Sequence, residues 1–215
     1  GAGSIAKVLA GRVGPEGYVL ATDLDSKFLD DLDLPNLEVR KHDILTDELP
    51  PDSFDVAHTR LLLMHLPDRE LALKRIIAAV KPGGWVFVED MDMFTWIDTT
   101  PAPAMDRIRD VFIKLLQMAG ADPFFGRHLA KLLTESGIED VWVEGRIELG
   151  RRKDSPGLAQ FKLSLIELRE MIVANELATG EDVEEAIRLI DDANWYGLPP
   201  SIIGAWGRKP ARSNG

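Results

Sequence analysis

Two glycines and one carboxylate near the start of the chain have the spacing of a nucleotide-binding loop. Gly1 and Gly3 directly precede an apolar helical pattern, and Asp23 ends the β-rich run that follows it. Glycines allow a ligand to approach the backbone closely at a helix N-terminus, and an acid at the end of the next strand accepts hydrogen bonds from ribose hydroxyls. The pattern therefore predicts a nucleotide-type site in a Rossmann-like domain.

The glycine loop departs from the usual spacing at one position. A third small residue is expected two positions after Gly3, where Ile5 stands. A short insertion between Gly3 and Ser4 would restore both the glycine and the helix register. We therefore expect that Gly3 and Ser4 are not covalent neighbours, and that an N-terminal segment with the first strand of the sheet precedes Gly1.

Polar side chains recur where the predicted strands end. Besides Thr22–Asp23, they stand at His42–Asp43, Thr59–Arg60 and Glu89–Asp90. In doubly wound sheets, ligands bind outside the carboxyl ends of the strands, where the strand order reverses. Four polar strand ends at one crevice favour a ligand site over solvation alone.

Strands that alternate with helices position these ends. Strand patterns cover residues 18–22, 36–42, 54–59, 85–90, 141–149 and 202–207, and helical patterns include a short helix of residues 27–31 capped by Ser26. The sequence predicts an α/β fold: a Rossmann-like, doubly wound, mostly parallel seven-stranded sheet with a helical elaboration over the active site. The predicted domains are a core of residues 1–93, an elaboration of residues 94–199 with the sixth strand, and the last strand in residues 200–210.

Composition narrows the range of partners. The chain has 215 residues, of which 45% are hydrophobic, which suits one α/β domain with an elaboration. It has no cysteine, so it forms neither disulfides nor Cys-based zinc sites. The net charge of −11 argues against a nucleic-acid backbone as partner. We predict a cytoplasmic protein with a small-molecule substrate, no nucleic acid, no membrane and no metal; homo-oligomerisation is left open.

Taken together, these segments resemble the class I S-adenosylmethionine-dependent methyltransferases. The resemblance rests on Gly1-Ala2-Gly3, Ala21-Thr22-Asp23, His42-Asp43-Ile44, residues 54–60, residues 63–68 and residues 81–85. Residues 94–199 resemble, more loosely, the elaboration of small-molecule methyltransferases of the ubiquinone-biosynthesis-like and actinobacterial natural-product branches. The resemblance implies S-adenosyl-L-methionine as the cofactor and methyl transfer to O, N or C of a small, largely apolar or aromatic acceptor.

The family also implies roles for individual positions. Asp23 would bind both ribose hydroxyls, Asp43 would accept a hydrogen bond from the adenine amino group, and Arg60 would lie beside the methionine end. The full set of implied cofactor contacts is Gly1, Gly3, Asp23, Leu24, Asp43, Ile44, Thr59 and Arg60.

The acceptor side is less constrained by the sequence. Methyl transfer from a sulfonium is an in-line displacement that depends on alignment, so a base is needed only where the acceptor must lose a proton. A histidine is the natural base near neutral pH, although a structural role fits each histidine as well. The candidate bases are His58, His65 and His128, and the predicted substrate contacts are Met64, Met91 and Trp96.

Two other functions stay open at this point. An NAD(P)-dependent oxidoreductase shares the glycine loop and the ribose acid, but the position of Asp43, the Lys81–Gly84 turn and the lack of a Tyr-x-x-x-Lys pair argue against it. A non-catalytic cofactor-binding protein of the same fold would be consistent with the irregular loop at Gly3–Ile5.

Overall fold

A computed structural model describes residues 3–29, 32–98, 101–147, 155–192 and 194–212. Gly1, one of the predicted cofactor contacts, lies outside the described residues. The chain separates into two units, Gly1–Leu49 and Pro50–Gly215. The domain boundaries predicted after residues 93 and 199 stay predictions.

The first unit consists of one helix and a parallel pair of strands. Helix α1 spans Ser4–Val13, strand β1 spans Val19–Asp23 and strand β2 spans Leu37–Lys41. The Asn36 side chain ties the end of α1 to the start of β2, because its amide donates to the carbonyls of Ala10 at 2.9 Å and Gly14 at 2.7 Å. It thereby satisfies carbonyls that a helix end leaves without partners.

Gly3 leads directly into α1. It is the N-cap residue with a φ of 69°, and its carbonyl accepts from the Lys7 amide at 3.0 Å. The chain runs from Gly3 into the helix without a break, so the expectation of intervening residues between Gly3 and Ser4 is wrong. Glycine adopts the left-handed conformation without strain, and this conformation is enough to start the helix at Ser4.

The helix predicted for residues 27–31 is a single 3-10 turn, Ser26–Phe28. Its cap is Asp25 rather than Ser26, since the Asp25 carboxylate accepts from the Lys27 amide at 3.2 Å. A short acidic side chain that bonds the nearby backbone competes with helix formation. Residues 30 and 31 lie outside the described part of the chain.

The second unit contains the other elements, which follow one another along the chain. They are β3 (Phe54–Arg60), α2 (Arg69–Ala79), β4 (Val80–Asp92), β5 (Ile97–Asp98), α3 (Pro103–Met118), α4 (Leu129–Glu135), β6 (Glu139–Arg146), α5 (Pro156–Ala174), α6 (Gly180–Asp191), β7 (Gly197–Leu198) and β8 (Ser201–Arg208). Further 3-10 turns span Leu63–His65, Met93–Thr95 and Phe125–His128.

The main sheet of this unit is mixed. Its strand order is β3-β4-β8-β6; β3 and β4 are parallel, and β8 is antiparallel to both of its neighbours. The α/β class is confirmed, but a mostly parallel seven-stranded sheet is not, because the strands of the described residues form this sheet, the β1–β2 pair and a short antiparallel β5–β7 pair. The antiparallel pairs arise because β8 enters beside the end of β4 and runs back from Asp92 towards Trp85.

Strand β4 has one fully buried face. Val86 and Val88 are 0% exposed, and the same face continues with Asp90 at 0% and Asp92 at 3%. Successive residues of a strand point to opposite faces, so these four side chains share one side of the sheet. Buried carboxylates require hydrogen-bond partners or protonation. The carboxylates of Asp90 and Asp92 must therefore each be paired or protonated.

The helices α3, α5 and α6 share a hydrophobic core. Its fully buried members include Met105, Leu165 and Ile190, and the indoles of Trp96 and Trp195 complete it. Helix α6 begins with a capping box formed by Thr179 and Asp182. We call the hydrophobic cluster shared by α3, α5 and α6 the helical core.

No described helix combines the length and the apolar character needed to cross a membrane.

Candidate functional site

The carboxylates of Asp23 and Asp43 lie at the carboxyl-terminal ends of β1 and β2. The end of β1 is held beside the segment after β2, because the His42 amide donates to the Asp23 carbonyl at 2.9 Å. The half-buried Asp23 carboxylate accepts from the Asp25 amide at 3.1 Å, which orients it. Asp43 directly follows His42, so the strand pairing brings the predicted ribose and adenine ligands to the same edge.

Asp43 begins a hydrogen-bonded turn. Its Oδ1 accepts from the Leu45 amide at 2.8 Å, and its own amide donates to Asp47 Oδ2 at 2.8 Å. The turn fixes the Asp43 carboxylate, with Ile44 half-buried within it. Leu24, next to Asp23, is 59% exposed, so an apolar side chain is accessible beside the predicted ribose ligand.

A side chain at Gly3 would displace two leucine side chains. A Cβ atom there would lie 2.3 Å from Leu32 Cδ1 and 3.0 Å from Leu29 Cδ2. Its positive φ also favours glycine. The start of α1 is therefore built around this glycine, as a loop that brings backbone close to a ligand requires.

The candidate residues of the second unit stand at the end of the parallel β3–β4 pair. Thr59 lies opposite Val88, and the exposed Arg60 lies opposite Glu89. The Thr59 hydroxyl is buried and has no partner among the described residues. Leu61 follows with a φ of 52° while its amide donates to the Glu89 carbonyl at 2.8 Å. Such strain in a non-glycine residue is typical of functional sites.

Charged side chains hold the segment that follows Leu61. Arg69 donates to the carbonyls of Leu63 at 3.0 Å and Met64 at 3.3 Å. Burial raises the pKa of Asp90 to about 7, and the facing amides of residues 62–64 and the charge of Arg69 lower it only in part. Neither Asp90 oxygen reaches hydrogen-bonding geometry with a described donor, so these amides act on the carboxylate from a longer range.

The three candidate histidines have different surroundings. His58 Nε2 lies 2.9 Å from Glu89 Oε2 on the neighbouring strand, and its ring lies 5.5 Å from that of Phe87. His65 and His128 are exposed, and His128 is the N-cap residue of α4. Of the three histidines, His58 therefore has a carboxylate neighbour that can orient its ring.

The three predicted substrate contacts do not form one cluster. Trp96 is 3% exposed within the helical core, and the half-buried Met91 packs against the same core. Met64 is 1% exposed and its carbonyl accepts from the Asp122 amide at 2.9 Å. Met91 and Trp96 therefore share one environment, whereas Met64 lies in the segment that Arg69 holds.

Sequence reasoning missed an ion pair at the end of β4. The Asp92 carboxylate accepts from Arg127 Nε and Nη2, both at 2.7 Å, and from the Phe94 amide at 2.9 Å. The arginine lies 5.3 Å from the centre of the Phe94 ring. The alternation along β4 was the available signal, because it places Asp92 on the same face as two valines.

Replacement of Arg127 by methionine is expected to destabilise the fold by about 2 kcal/mol, because it leaves the buried Asp92 charge without its main partner. The value is set below that of a fully buried pair since the Arg127 side chain is 45% exposed. Urea unfolding measures the change. Lys131→Met on α4 is the control, because this exposed lysine forms only an i,i+4 pair with Glu135 at 3.6 Å among the described residues. Equal stability of both variants would show that Asp92 does not depend on Arg127.

The chain is similar in sequence to known methyltransferases. Residues 1–88 match the methyltransferase domain family. Methyltransferase str2 of Strobilurus tenacellus is 36% identical over 167 residues, which cover 74% of this chain and 59% of that protein. The chain spans less than two thirds of the length of the curated relatives that it matches first.

Solved structures show the same fold at low sequence identity. A protein assigned as a methyltransferase of an antibiotic biosynthesis pathway in Anabaena variabilis has a TM-score of 0.60 and 18% identity, with 95% of this chain and 86% of that chain covered. Phosphoethanolamine N-methyltransferase 2 of Haemonchus contortus, in complex with S-adenosyl-L-methionine, has a TM-score of 0.52 and 17% identity, with 95% and 52% covered. These structures show the fold alone. The match of residues 1–88 to the methyltransferase domain and the relationship to str2 identify the chain as a member of the class I S-adenosylmethionine-dependent methyltransferases.

Proposed function

We propose that this chain transfers the methyl group of S-adenosyl-L-methionine to a small, largely apolar or aromatic acceptor. The observation that carries the proposal is the pair of carboxylates at the edge of β1–β2, in which Asp23 is oriented by the Asp25 amide and Asp43 by its own turn. The methyltransferase family match of residues 1–88 supports it. The same match favours methyl transfer over the oxidoreductase alternative.

The residues present fit the cofactor. The half-buried carboxylate of Asp23 suits ribose hydroxyls, and Gly3 keeps the start of α1 free of a side chain. When bound, S-adenosyl-L-methionine supplies an electrophilic methyl group on a sulfonium. The proposed cofactor contacts are Gly1, Gly3, Asp23, Leu24, Asp43, Ile44, Thr59 and Arg60.

The helical core supports the choice of acceptor. Its aromatic members include Trp96, Phe161 and Trp195, and the Trp96 and Phe161 rings meet edge to face with centroids 4.4 Å apart. A helical segment rich in apolar and aromatic side chains suits an acceptor of the same character. We further propose that the complete sheet has seven strands and that the protein is cytoplasmic. We also propose that nucleic acid is not a partner, because the net charge is −11.

His58 is the proposed proton acceptor for an acceptor group that ionises during transfer. Glu89 holds its Nε2 at 2.9 Å and would stabilise the imidazolium that forms. The other contribution of the chain is to align the acceptor and to exclude water, which suffices for groups that lose no proton.

Calorimetric titration with S-adenosylhomocysteine, compared with NAD, tests the cofactor proposal. We expect micromolar binding of S-adenosylhomocysteine and no heat from NAD. Transfer of a tritiated methyl group to a panel of phenols, amines and carboxylic acids then identifies the acceptor atom. Binding of NAD alone would overturn the proposal, and binding of S-adenosylhomocysteine with no transfer to any acceptor would favour a non-catalytic role.

A further inference from the structure

Asp90 is a fully buried acid to which the proposed methyl transfer gives no role. It lies on β4, one residue past the last pair of the β3–β4 ladder, in which Arg60 lies opposite Glu89. Leu61 continues from β3 and donates its amide to the Glu89 carbonyl at 2.8 Å. The chain therefore crosses the end of β4 next to Asp90. We call residues 61–64 the crossing segment.

Three successive amides of the crossing segment face the Asp90 carboxylate. They belong to Leu62, Leu63 and Met64, at the start of the 3-10 turn Leu63–His65. Consecutive N–H groups that point to one place favour a negative charge there. Here the charge comes from the neighbouring strand, so Asp90 can hold the crossing segment by its amides.

Arg69 on α2 holds the carbonyl side of the same segment. Its guanidinium donates to the carbonyls of Leu63 at 3.0 Å and Met64 at 3.3 Å, and it lies 4.7 Å from the centre of the Phe125 ring. Its charge also acts on Asp90. The crossing segment thus lies between a carboxylate at its amides and a guanidinium at its carbonyls.

The conformation of the crossing segment requires such support. Leu61 has a φ of 52°, and a non-glycine residue keeps a conformation of this kind only where its surroundings impose it. Weaker contacts with Asp90 or Arg69 would let Leu61 relax. Arg60 directly precedes Leu61, so relaxation at Leu61 would change the direction of Arg60.

The hold of Asp90 on the amides depends on its charge. A carboxylate accepts hydrogen bonds more strongly than a neutral carboxyl group. Burial raises the pKa of Asp90 to about 7, and the facing amides and Arg69 lower it only in part. Asp90 therefore attracts the amides strongly above about pH 7 and weakly below it.

We propose that Asp90 is a positioning residue of the cofactor site, whose carboxylate keeps the crossing segment in the conformation that directs Thr59 and Arg60 at the cofactor. The assignment of Thr59 and Arg60 as cofactor contacts rests on the proposed function. Asp90 is buried and acts through the crossing segment rather than by contact with the cofactor.

Cofactor binding and ionisation of Asp90 are then coupled. A preference of the cofactor for the ionised form of about 10-fold lies within the usual range of coupling between two sites. Affinity for S-adenosylhomocysteine is therefore expected to rise about 5–10-fold between pH 5.5 and pH 8.5. By linkage, the bound ligand lowers the pKa of Asp90 by about one pH unit.

One other group near Asp90 titrates in this pH range. His65 ends the 3-10 turn, and desolvation of its ring lowers its pKa. Ile203, opposite Asp90 on β8, is apolar. The remaining charged groups on the surrounding elements are the Asp92–Arg127 pair, Glu89 with His58 on the other face of β4, and the exposed Asp68, Glu70 and His128.

Calorimetric titration of the full chain with S-adenosylhomocysteine from pH 5.5 to pH 8.5 tests the coupling. Asp90→Asn has no charge at any pH, so its affinity is expected to stay at the value that the unmodified chain shows at pH 5.5. Glu70→Gln removes an exposed acid next to Arg69 and is the control; it is expected to keep the rise. His65→Gln identifies any contribution of the histidine.

Carbon-13 magnetic resonance of the Asp90 carboxyl group measures the reciprocal effect in the unmodified chain. The signal is absent from the spectrum of Asp90→Asn, which assigns it; if this variant does not fold, correlation with the backbone assigns it instead. We expect a pKa near 7 without ligand and a lower value with saturating S-adenosylhomocysteine.

The outcomes separate the two proposals. Absence of S-adenosylhomocysteine binding at every pH would contradict the proposed function, and the role of Asp90 with it. Binding that does not change with pH, or that leaves the pKa of Asp90 unchanged, would overturn the positioning role alone. A rise in affinity that persists in Asp90→Asn and disappears in His65→Gln would overturn it as well, because His65 would then be the titrating group.

Discussion

Asp23→Asn is expected to weaken binding of S-adenosylmethionine by about 100-fold. A carboxylate that accepts from two ribose hydroxyls makes two charge-assisted hydrogen bonds, and exchange of each for a weaker neutral contact costs about 1.4 kcal/mol. The substitution keeps the local structure, because the asparagine carbonyl can still accept from the Asp25 amide, which lies 3.1 Å from Asp23 Oδ1. Calorimetric titration with S-adenosylhomocysteine measures the change.

The control for Asp23 is Asp33→Asn in the same unit. Asp33 is exposed and lies outside β1 and β2, so its substitution is expected to leave cofactor affinity unchanged within about twofold, the range of most surface substitutions. Circular dichroism establishes that both variants fold. An affinity of Asp23→Asn close to that of the control would remove Asp23 from the cofactor site.

Asp90→Asn is expected to remove the part of the loss of stability between pH 5 and pH 8 that ionisation of Asp90 causes. The pKa of Asp90 is raised from 3.8 to about 7 by burial. In this pH range the folded state holds a proton that the unfolded chain has already released, so the free energy of unfolding falls as pH rises. The contribution of Asp90 over this range is about 2–3 kcal/mol.

Thermal unfolding at pH 5 and pH 8 measures the effect. For a chain of this size, about 2–3 kcal/mol corresponds to a difference of about 5–10 °C in the pH response of Tm. Asp90→Asn should be more stable than the unmodified chain at pH 8 and closer to it at pH 5. Glu170→Gln, an exposed acid on α5, is the control. A parallel pH response of Asp90→Asn and the unmodified chain would show that Asp90 ionises at its ordinary pKa in the folded state.

Local patterns predicted the elements better than their arrangement. Periodicity located β1 to β4, β6 and β8, because alternating or continuous apolar runs reflect burial on one or both faces of a strand. The direction of β8 was not accessible in this way, since antiparallel and parallel neighbours impose similar patterns on a buried strand. The turn after β1 was mistaken for a helix because Asp25, rather than Ser26, bonds the backbone.

The candidate site was likewise predicted only in part from the sequence. The positions of Asp23 and Asp43 at the ends of neighbouring strands were predicted, because alternating strand patterns reveal where a strand ends; their role as cofactor ligands stays a prediction. The Arg127–Asp92 pair was missed because its two residues lie 35 positions apart in the sequence, although the alternation along β4 had marked Asp92 as buried.

The independent hydrophobic core of α3, α5 and α6 has an evolutionary consequence. Its members, such as Met105, Leu165 and Ile190, come from residues 93–195, whereas the strand-end acids Asp23 and Asp43 lie in another unit. Because the helical core lies within a single unit, substitutions inside it are expected to act on stability nearly additively with substitutions at Asp23 and Asp43. If the helices contact the acceptor and the two acids bind the cofactor, as proposed, descendants of such a protein can acquire new acceptors through substitutions within the helices while selection preserves Asp23 and Asp43.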